Sequence, residues 1–369
     1  MTRRGNKSLR IGLTFNVRLA GSTARQPALF DSSHAAGQPA AEAAGTPPRD
    51  DDEEEFDSPQ TIEALAETLE ELGHDVDLLG DGEPMLRRLF AGPRPDLVFN
   101  FAEGQGSSRT REARVPAALE LLKIPYTGSD PLTLAATLDK DCAKRLVSAS
   151  GVATPAWTLY SGDWDAVREP LARLPLPVIV KPAYEGSSKG ILATNLVQSF
   201  GDLQPTLERL LQAYRQPILV EEFIDGEELT VGLVGNGPPE VLGIMRVVPR
   251  QAAGPFVYSL EVKRDWERLV RYEVPAQLSA ADDVAVRTAA LAAWNALGCR
   301  DVSRVDFRLR DGVAYFLEVN PLPGLSPVYS DLVLLARGIG IEYRELIARI
   351  VQAALDRLAM NETAPAKPR

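Results

Sequence analysis

The sequence predicts an α/β protein with an open parallel sheet in its first 128 residues and a mixed region of helices and strands after it. One observation is that strand-like and amphipathic helical segments alternate up to about residue 128, which is typical of parallel βαβ units. Another is the stretch 303–320, where polar and apolar residues alternate on both sides of an Asp-Gly turn, as in an antiparallel hairpin. The length of 369 residues favours two or three domains over a single core.

The N-terminal segments supply the elements of the parallel sheet in order. An apolar strand is predicted over residues 9–15, and a second, buried strand over 95–101. Between them, Ser58 and Pro59 are the residue types of a helix N-cap and a first helical position. A further helix is predicted over 112–122. Strands and helices therefore follow one another as an open parallel sheet requires.

Residues 20–55 differ in composition from the segments on either side. They are rich in Ala, Gly, Pro, Ser and acidic residues, which predicts a disordered insertion or a mobile loop. The run 50–57 holds seven acids, so the net charge of −11 is local: without them, 51 − 7 leaves 44 acidic residues against 40 basic ones. The rest of the chain has no basic stripe that would indicate nucleic-acid binding.

Composition also argues against several classes of protein. No apolar run approaches the ~18 residues of a membrane-spanning helix, and the N-terminal residues lack the apolar core of a signal peptide. Cys142 and Cys299 lie far apart and match no metal-site spacing, which fits a cytoplasmic protein with free thiols. The chain has only two histidines, so we do not expect catalysis based on histidine.

The region from residue 131 onwards forms the mixed part of the predicted fold. A helix that begins at Pro131 is predicted to carry Lys140, and strands then alternate with helices as far as residue 234. A closing helix is predicted over 342–358, and the last ten residues are predicted to be frayed.

The predicted hairpin gathers polar side chains on one face. A loop of about three residues, 310–312, sets a register in which Arg304 lies opposite Glu318. Asp306 is then diagonal to Glu318, and Asn320 lies two residues further along the same face. A two-residue loop would place Asp306 and Glu318 on opposite faces.

Two carboxylates and an amide oxygen are hard ligands that suit Mg²⁺, which takes few protein ligands and keeps phosphate oxygens and waters. Asp306, Glu318 and Asn320 are therefore candidate metal ligands. The alternative is a solvent-exposed face in which the carboxylates form salt bridges with Arg304 and Arg308.

The stretch "IVKPAYEGSSKG" (179–190) is a second candidate for phosphate chemistry. An apolar strand ends at Lys181 and enters a loop of Gly and Ser, which can hold a phosphate chain or form an ordinary turn. Other nucleotide motifs are absent from the sequence: there is no P-loop, "GQGSSR" from Gly104 lacks the third glycine of a dinucleotide fingerprint, and no kinase catalytic loop occurs. A metal-binding hairpin and a Gly-Ser loop that face each other could hold a nucleoside triphosphate.

Taken together, these motifs resemble the D-alanine–D-alanine ligases, a family of the ATP-grasp superfamily. The matching stretches occur in the family's order and cover most of residues 112–330: "LLKIPYTGSDPLTLAATLDKDCAKRL", "PVIVKPAYEGSSKG", "ILVEEFIDGEELTV", "GCRDVSRVDFRLR" and "FLEVNPLPGLSP". The resemblance implies an ATP-grasp fold with an N-terminal open parallel α/β domain and two α+β subdomains that grip ATP. The implied boundaries are 1–128 with a flexible acidic insertion at 21–57, 129–226, 227–360, and a tail at 361–369.

The resemblance also implies nucleotide-binding roles. Lys140 and Lys181 would reach the α- and β-phosphates, the loop 185–190 would close over them, and Glu228 would hold the ribose. The implied cofactors are ATP and Mg²⁺ or Mn²⁺, the metal being bound by Asp306, Glu318 and Asn320. The implied phosphate-loop and adenine-hinge residues are Glu185, Gly186, Ser187, Ser188, Glu221, Glu222, Phe223 and Ile224.

The implied reaction proceeds without a protein nucleophile. A substrate carboxylate attacks the γ-phosphate to give an acyl phosphate, and the amine of a second substrate attacks the acyl carbon. Arg304 and the backbone amide of Gly324 would stabilise the oxyanion. Lys263 would lie near the γ-phosphate, and Ser187 of the phosphate loop is a further implied catalytic residue. The shortage of histidine and cysteine agrees with this chemistry.

Three departures from the family pattern fall in the expected substrate site. The Gly-rich first loop is replaced by the acidic insertion, from which Glu55 or Asp57 could supply a carboxylate that binds the substrate amine. Glu103 stands where the family has histidine, and Arg264 where it has tyrosine. We expect Glu103 to face the first substrate and pair with a cationic group on it; the alternative is that Glu103 and Arg264 pair with each other.

The sequence thus predicts an ATP-dependent ligase that joins two amino acids, as in peptidoglycan synthesis. Alternatives are a ligase for another amino acid or small metabolite, and an ATP-binding regulatory protein without turnover. Expected partners are small-molecule amino acids and a second copy of the chain in a cytoplasmic homodimer, with no nucleic acid and no membrane.

Overall fold

Three β-sheets, with helices packed on them, form the part of the chain that the computed structural model describes, residues 8–18, 49–251 and 254–363. Within these ranges, none of the helices combines the length and apolar character needed to cross a membrane. Cys142 and Cys299 are free thiols, as predicted.

The N-terminal sheet has three parallel strands in the order β2-β1-β3, as predicted. Its strands and helices are β1 (Arg10–Phe15), α1 (Pro59–Glu71), β2 (Asp75–Leu78), α2 (Gly82–Ala91), β3 (Leu97–Phe101) and α3 (Arg114–Leu122). Ser58 is the N-cap of α1, and its hydroxyl accepts a hydrogen bond from the Thr61 N–H at 3.2 Å. The capping pattern was therefore a reliable signal in this region.

The second sheet is antiparallel, with the strand order β4-β7-β5-β6. This region comprises α4 (Pro131–Leu138), α5 (Lys140–Ala149), β4 (Trp157–Tyr160), α6 (Trp164–Ala172), β5 (Val178–Pro182), β6 (Leu196–Val197), α7 (Leu203–Tyr214) and β7 (Ile218–Glu222). The prediction of one helix from Pro131 through Lys140 is wrong. Asp139 is extended and caps the Cys142 N–H at 3.2 Å, so a new helix begins at Lys140.

The third sheet has five antiparallel strands in the order β10-β9-β8-β11-β12. Its elements are β8 (Glu227–Gly235), β9 (Glu240–Pro249), α8 (Leu260–Arg264), α9 (Trp266–Leu269), β10 (Val270–Glu273), α10 (Ala280–Leu297), β11 (Asp301–Arg310), β12 (Val313–Asn320), α11 (Asp331–Gly338) and α12 (Tyr343–Thr363). Fraying of the last ten residues is wrong for 360–363, which continue α12; residues 364–369 lie outside the described part of the chain.

The hairpin of β11 and β12 differs from the prediction in its turn. Arg310 pairs with Val313, so the loop is the two residues Asp311 and Gly312, with φ of 53° and 77°. The three-residue loop is therefore wrong. Asp306 nevertheless pairs with Glu318, because the register shifts between Asp306 and Phe307.

That register shift is a β-bulge, and it decides which side chains share a face. Phe307 pairs with Phe316 and Asp306 with Glu318, so Leu317 is the extra residue of β12. Without the bulge Asp306 would lie opposite Leu317, and Glu318 would point to the other face. Arg304 then pairs with Asn320, and the polar face exists as predicted but in a different register.

The acidic segment, defined as residues 49–57, is ordered against the rest of the fold. Asp51, Glu55 and Asp57 are buried, and the Arg18 N–H donates to the Asp57 carbonyl at 2.8 Å. The predicted flexibility, of 20–55 from composition and of 21–57 from the resemblance, is therefore wrong for residues 49–57. Residues 19–48 lie outside the described ranges.

Candidate active site

A cavity of about 360 Å³ lies where the acidic segment, α8 and the β11-β12 hairpin meet. It brings together many of the predicted residues: Asp57, Glu103, Lys140, Glu185, Gly186, Ser187, Lys263, Arg264, Arg304, Glu318, Asn320 and Gly324. Other predicted residues do not line it: Lys181, Ser188, Glu221, Glu222, Phe223, Ile224, Glu228 and Asp306.

Asp306 is held by polar groups from three positions of the sheet. The Nε and Nη2 atoms of Arg304 donate to its two carboxylate oxygens at 3.1 and 2.9 Å. Thr230 Oγ1 donates to Oδ1 at 2.9 Å, and Asn320 Nδ2 lies 3.3 Å from Oδ2. Burial raises the pKa of Asp306 although the guanidinium of Arg304 lowers it. The carboxylate therefore has its position fixed before any ligand binds.

Glu318 faces a lysine on the opposite side of the cavity. Lys140 Nζ lies 3.0 Å from Glu318 Oε2 and donates to the Glu185 carbonyl at 2.6 Å. Burial raises the pKa of Glu318, but the ammonium groups of Lys140 and Lys181 outweigh it and hold the pKa well below its usual range. Glu318 is therefore an anion at neutral pH.

The donor set on this face fits a hard divalent cation. Asp306, Glu318 and Asn320 offer two carboxylates and an amide oxygen on paired strands. Within the described ranges, no group of three or more His, Cys, Asp or Glu side chains is arranged to hold a metal. A site with two carboxylates is what Mg²⁺ uses when phosphate oxygens and waters complete its shell.

A buried triad of charges lies beside this face. Glu221 contacts Lys181 through Oε1 at 2.6 Å and Lys144 through Oε2 at 2.7 Å. Lys144 is fully buried and also donates to Thr154 Oγ1 at 2.7 Å. Burial lowers the pKa of Lys144 to about 8. The triad has two potential cations for one carboxylate, so an additional negative charge nearby would be stabilised.

Lys144 was not among the residues predicted from the sequence, although its spacing from Lys140 could have indicated it. It follows Lys140 by four residues, a spacing that places both side chains on the same face of α5. Glu221 was predicted as part of the adenine hinge, whereas in the structure its side chain forms ion pairs with the two buried lysines.

The predicted adenine hinge has some backbone groups already in use. The Glu222 N–H donates to the Ala156 carbonyl at 2.9 Å, and the Phe223 N–H donates to the Pro177 carbonyl at 3.0 Å. These two amides hold neighbouring strands together and cannot contact a base. Contact with adenine would have to use the hinge carbonyls or the Ile224 N–H.

Glu228 forms an ion pair with Arg308, a buried arginine that only the alternative interpretation of the hairpin had placed on a solvent-exposed face. Arg308 contacts Glu228 Oε2 and donates to the Phe256 carbonyl at 2.6 Å. Its guanidinium lies 5.1 Å from the centre of the Phe223 ring. Burial raises the pKa of Glu228 although Arg308 lowers it. The alternative of a solvent-exposed face for Arg304 and Arg308 is therefore wrong.

The loop 185–190 adopts the conformation that its small residues permit. Ser187 and Ser188 are left-handed, with φ of 49° and 59°. Gly190 has φ of 72°, and a Cβ there would lie 2.6 Å from the Pro182 ring. The loop therefore turns tightly over the end of β5.

The acidic segment binds the backbone of this loop. The Gly186 N–H donates to Glu55 Oε1, and the Gly190 N–H donates to Asp51 Oδ2 at 3.1 Å. Glu55 also contacts Arg111, a buried arginine that sequence reasoning missed, at 2.6 Å. Carboxylates therefore already occupy amide groups on a loop that was predicted to hold phosphates.

Arg304 lies between two carboxylates. Besides Asp306, its Nη1 atom lies 3.2 Å from Asp331 Oδ2. The Tyr258 hydroxyl lies 3.3 Å from Asp331 Oδ1 and 2.7 Å from the Tyr272 hydroxyl. Asp331 and the two tyrosines line the cavity and were missed, because nothing in their local sequence indicates a site.

Gly324 and Lys263 complete this end of the cavity. A Cβ on Gly324 would lie 2.9 Å from Ser330 Oγ, so the backbone approaches this serine more closely than a larger residue would allow. Lys263 Nζ lies 5.2 Å from the centre of the Tyr258 ring. Both positions line the cavity beside Arg304.

Arg264 pairs with the acidic segment rather than with Glu103. Its guanidinium contacts Asp50 and lies 2.7 Å from Glu54 Oε2. The alternative that Glu103 and Arg264 neutralise each other is therefore wrong.

Three carboxyl groups that line the cavity have no such partner. No side chain or N–H in the described ranges forms a hydrogen bond or ion pair with the carboxylates of Asp57, Glu103 or Glu112. Burial raises the pKa of Asp57 to about 8 and that of Glu112 to about 7. Burial, with Glu112 nearby, raises the pKa of Glu103 well above its usual range. Glu112 was not among the predicted residues.

Comparison with known proteins agrees with this geometry. The family model for the D-Ala–D-Ala ligase C-terminus matches residues 146–352. A D-alanine–D-alanine ligase of Aquifex aeolicus is 31% identical over 79% of this chain and 94% of its own length. One from a Synechococcus strain is 33% identical over 84% of this chain and 92% of its own length.

A solved structure also has the same fold. The D-alanine–D-alanine ligase of Bacillus anthracis, complexed with ATP, superposes with a TM-score of 0.70 at 23% identity, over 96% of this chain and all of that one. The chain therefore belongs to the D-alanine–D-alanine ligase family with its ATP-grasp fold, and the predicted class, an ATP-dependent ligase that joins amino acids, is confirmed.

Proposed function

We propose that the protein joins two amino acids through an acyl phosphate, with ATP and Mg²⁺ as cofactors. The observation that carries the proposal is that one cavity combines Lys140 and Glu318 with Arg304 and the loop residues Gly186 and Ser187. In this proposal the groups that contact phosphate, metal and oxyanion surround a single volume. The names of the relatives support amino acids as substrates, and the ATP complex of one relative supports the nucleotide.

The nucleotide would bind between the lysines and the hairpin. Lys140 and Lys181 would donate to the phosphates, with Lys144 adding positive charge from behind. The Ser187 N–H and hydroxyl, which neither Glu55 nor Asp51 contacts, would donate to the phosphate chain. Glu228 would accept a hydrogen bond from the ribose. Adenine would contact the hinge through the Ile224 N–H and the neighbouring carbonyls.

Asp306, Glu318 and Asn320 would hold Mg²⁺, or Mn²⁺ in its place. When bound, the metal supplies positive charge to the phosphate oxygens and lowers the barrier to their displacement. The protein groups keep the carboxylates in position: Arg304 orients Asp306, and Lys140 orients Glu318.

The chemistry consists of two displacements. An oxygen of the first substrate's carboxylate attacks the γ-phosphorus, the bond from that phosphorus to the ADP oxygen breaks, and ADP leaves. The amine of the second substrate then attacks the acyl carbon, a C–N bond forms, the C–O bond to phosphate breaks, and the amine loses a proton. Arg304 and the Gly324 N–H would donate to the tetrahedral oxygen, and Lys263 would add positive charge near it.

Several coarser expectations accompany this proposal. We infer a homodimer in the cytoplasm, with small-molecule amino acids as partners and neither nucleic acid nor membrane. The boundaries at 128, 226 and 360 are kept as proposed domain limits; each region has one of the three sheets as its centre.

A ligase for an amino acid other than D-alanine is a second candidate, favoured by a specific observation. The cavity contains the carboxyl groups of Glu103 and Glu112, which no described side chain contacts, and the methyl side chain of D-alanine offers no group that could pair with them.

The test is a screen of D- and L-amino acids for phosphate release with ATP and Mg²⁺. We expect release that depends on an amino acid and is lost in Asp306→Asn. If the wild-type protein binds ATP but releases no phosphate with any amino acid or pair of amino acids, the ligase proposal is overturned in favour of an ATP-binding regulatory protein.

A further inference from the structure

The acidic wall is defined as Asp57 and Glu112, which are buried, together with Glu103, which is half-buried. All three line the cavity, and within the described ranges none has a hydrogen bond or ion pair through its carboxylate. Glu112 is only 7% exposed and Asp57 only 9%. Buried carboxylates are nearly always paired, because removing their charge from water is costly. The wall therefore lacks the ion-pair partners that Arg304, Glu318 and Arg264 have in the same cavity.

The nearest cations of the protein are already engaged elsewhere. Arg111 lies 2.6 Å from Glu55 and 3.6 Å from Glu185, so its charge is shared by two other carboxylates. Arg264 contacts Asp50 and Glu54. Arg111 acts on Glu103 and Glu112 electrostatically, and Lys140, which pairs with Glu318, acts on Glu112, but neither forms a hydrogen bond or ion pair with them. Within the described ranges no cation contacts the carboxylates of the wall, so a cationic ligand would supply contacts that the protein does not.

The number of carboxyls indicates what kind of ligand this is. An amino acid with one amine brings a single positive charge, which one carboxylate is enough to pair. The wall offers three carboxyl groups from three separate segments, namely the acidic segment, the residues after β3 and those before α3. Burial raises the pKa of Glu112 to about 7 and of Asp57 to about 8, so the empty wall holds protons that a bound cation can replace.

We propose that the acidic wall binds a diamino acid, whose α-ammonium and side-chain ammonium groups contact Asp57, Glu103 and Glu112. Its carboxylate points towards Lys140 and the phosphate end of the cavity. This orientation rests on the proposed function, because it makes the diamino acid the substrate whose carboxylate is phosphorylated. The preference of the wall for two positive charges does not depend on turnover.

The first experiment measures binding to the wild-type protein by calorimetry. The probes are both enantiomers of lysine, ornithine and 2,4-diaminobutyrate, each compared with the monoamino acid of the same chain length: norleucine, norvaline and 2-aminobutyrate. We expect at least one diamino acid to bind about tenfold tighter or more than its monoamino counterpart. The monoamino acid lacks the side-chain ammonium and therefore loses a charged hydrogen bond to the wall. If every monoamino acid binds as tightly as its diamino counterpart, the proposal is overturned.

The second experiment assigns the preference to the wall. Glu103→Gln and Glu112→Gln keep the size of the side chain and remove its charge, so each should reduce the diamino-to-monoamino affinity ratio about tenfold. Glu67→Gln, the same change at an exposed position of α1, is the matched control and should leave the ratio unchanged. An equal loss of affinity for both classes of probe would show that the carboxylates have a structural role, and it would overturn the proposal.

The two proposals fail in different ways. Preferential binding of diamino acids without any phosphate release would contradict the ligase function and leave the wall's specificity in place. Phosphate release with monoamino acids, without a preference for diamino acids, would confirm a ligase and contradict the inference about the wall.

Discussion

The two sides of the cavity, which we propose bind the nucleotide and the amino-acid substrate, differ in whether their charged side chains form ion pairs. On the nucleotide side, Lys140 pairs with Glu318 and Arg304 pairs with Asp306, at 3.0 and 2.9 Å. On the substrate side, Glu103 and Glu112 have no such partner in the described chain.

This difference separates side chains that ion pairs hold in position from carboxyl groups that have no ion-pair partner in the protein. A buried ion pair is weak evidence for stability, because desolvation offsets much of its attraction, but it fixes side-chain positions. Lys140 Nζ and Glu318 Oε2 are held 3.0 Å apart. A buried carboxylate without a pair remains protonated or requires a cation. The side proposed to bind the nucleotide therefore has its charged side chains positioned by ion pairs, whereas the acidic wall, as proposed above, would select its ligand by charge.

The largest effect is expected from removing charge on the nucleotide side. Asp306→Asn and Glu318→Gln should each reduce kcat for phosphate release about 100- to 1000-fold, as loss of a preorganised electrostatic group does. The folded structure should persist, because amides can keep the contacts with Arg304 and Lys140. Turnover within tenfold of wild type in either variant would contradict the assignment to the metal site; a melting curve of each variant is the control for folding.

Sequence patterns predicted the polar face of the β11-β12 hairpin but not the β-bulge that produces it. The alternation in 303–320 correctly indicated a hairpin whose polar face holds Asp306 and Glu318. The turn was wrong by one residue, and the bulge at Leu317 compensates for it. A bulge has little signature in the alternation pattern, since it depends on how two strands twist against each other. The prediction was right because two errors cancelled.

The second prediction concerns the pH dependence of stability on the substrate side. Burial raises the pKa of Asp57 to about 8. The folded protein therefore binds a proton at Asp57 that the unfolded chain, near its ordinary value of 3.8, has released. Stability from this group is fully present below about pH 4 and is lost as pH rises to about 8, by up to ~1.4 kcal/mol per pH unit. The ionisable groups that interact electrostatically with Asp57 are Glu103, Tyr329 and Tyr343.

Asp57→Asn tests that dependence. The amide mimics the protonated acid, so the variant without ligand should lose less stability than wild type between pH 5 and pH 8 in urea titrations. Asp311→Asn, at an exposed turn position where φ is 53°, is the control and should follow wild type. Parallel pH curves for wild type and Asp57→Asn would show that Asp57 is already ionised and paired.

A third prediction returns to the nucleotide side. Lys181→Met should weaken ATP binding about tenfold, because methionine cannot supply the charge or the donors that phosphates require. The fold should be retained, since Glu221 keeps Lys144 at 2.7 Å. Calorimetric titration with ATP measures the change, with Lys123→Met as the control at an exposed lysine. Unchanged affinity in Lys181→Met would make this lysine a structural partner of Glu221 alone.

Long-range contacts were the part that sequence could not supply. Arg111 and Glu55 are 56 positions apart, and their 2.6 Å contact depends on how the acidic segment folds over the cavity. Composition predicted that this segment would be disordered, because few of its residues are apolar. Its order comes instead from carboxylates that accept backbone N–H groups of loop 185–190. Low hydrophobicity is a guide to disorder only when the rest of the fold offers no such donors.

The smallest effect is expected at the boundary between the two sides, where Arg264 holds the acidic segment. Its partner Asp50 has a side chain that is 89% exposed, and that of Arg264 itself is 36% exposed. Surface ion pairs contribute little, because water and salt screen them. Arg264→Gln should therefore lower the free energy of unfolding by less than about 1 kcal/mol, and the difference from wild type should shrink further in 1 M salt. A loss above about 2 kcal/mol that persists in high salt would mean that Arg264 anchors the segment through a desolvated contact. In that case the Arg264 ion pairs would belong with the buried, position-fixing pairs of the cavity. Fewer groups would then separate those pairs from the unpaired carboxyls of the acidic wall.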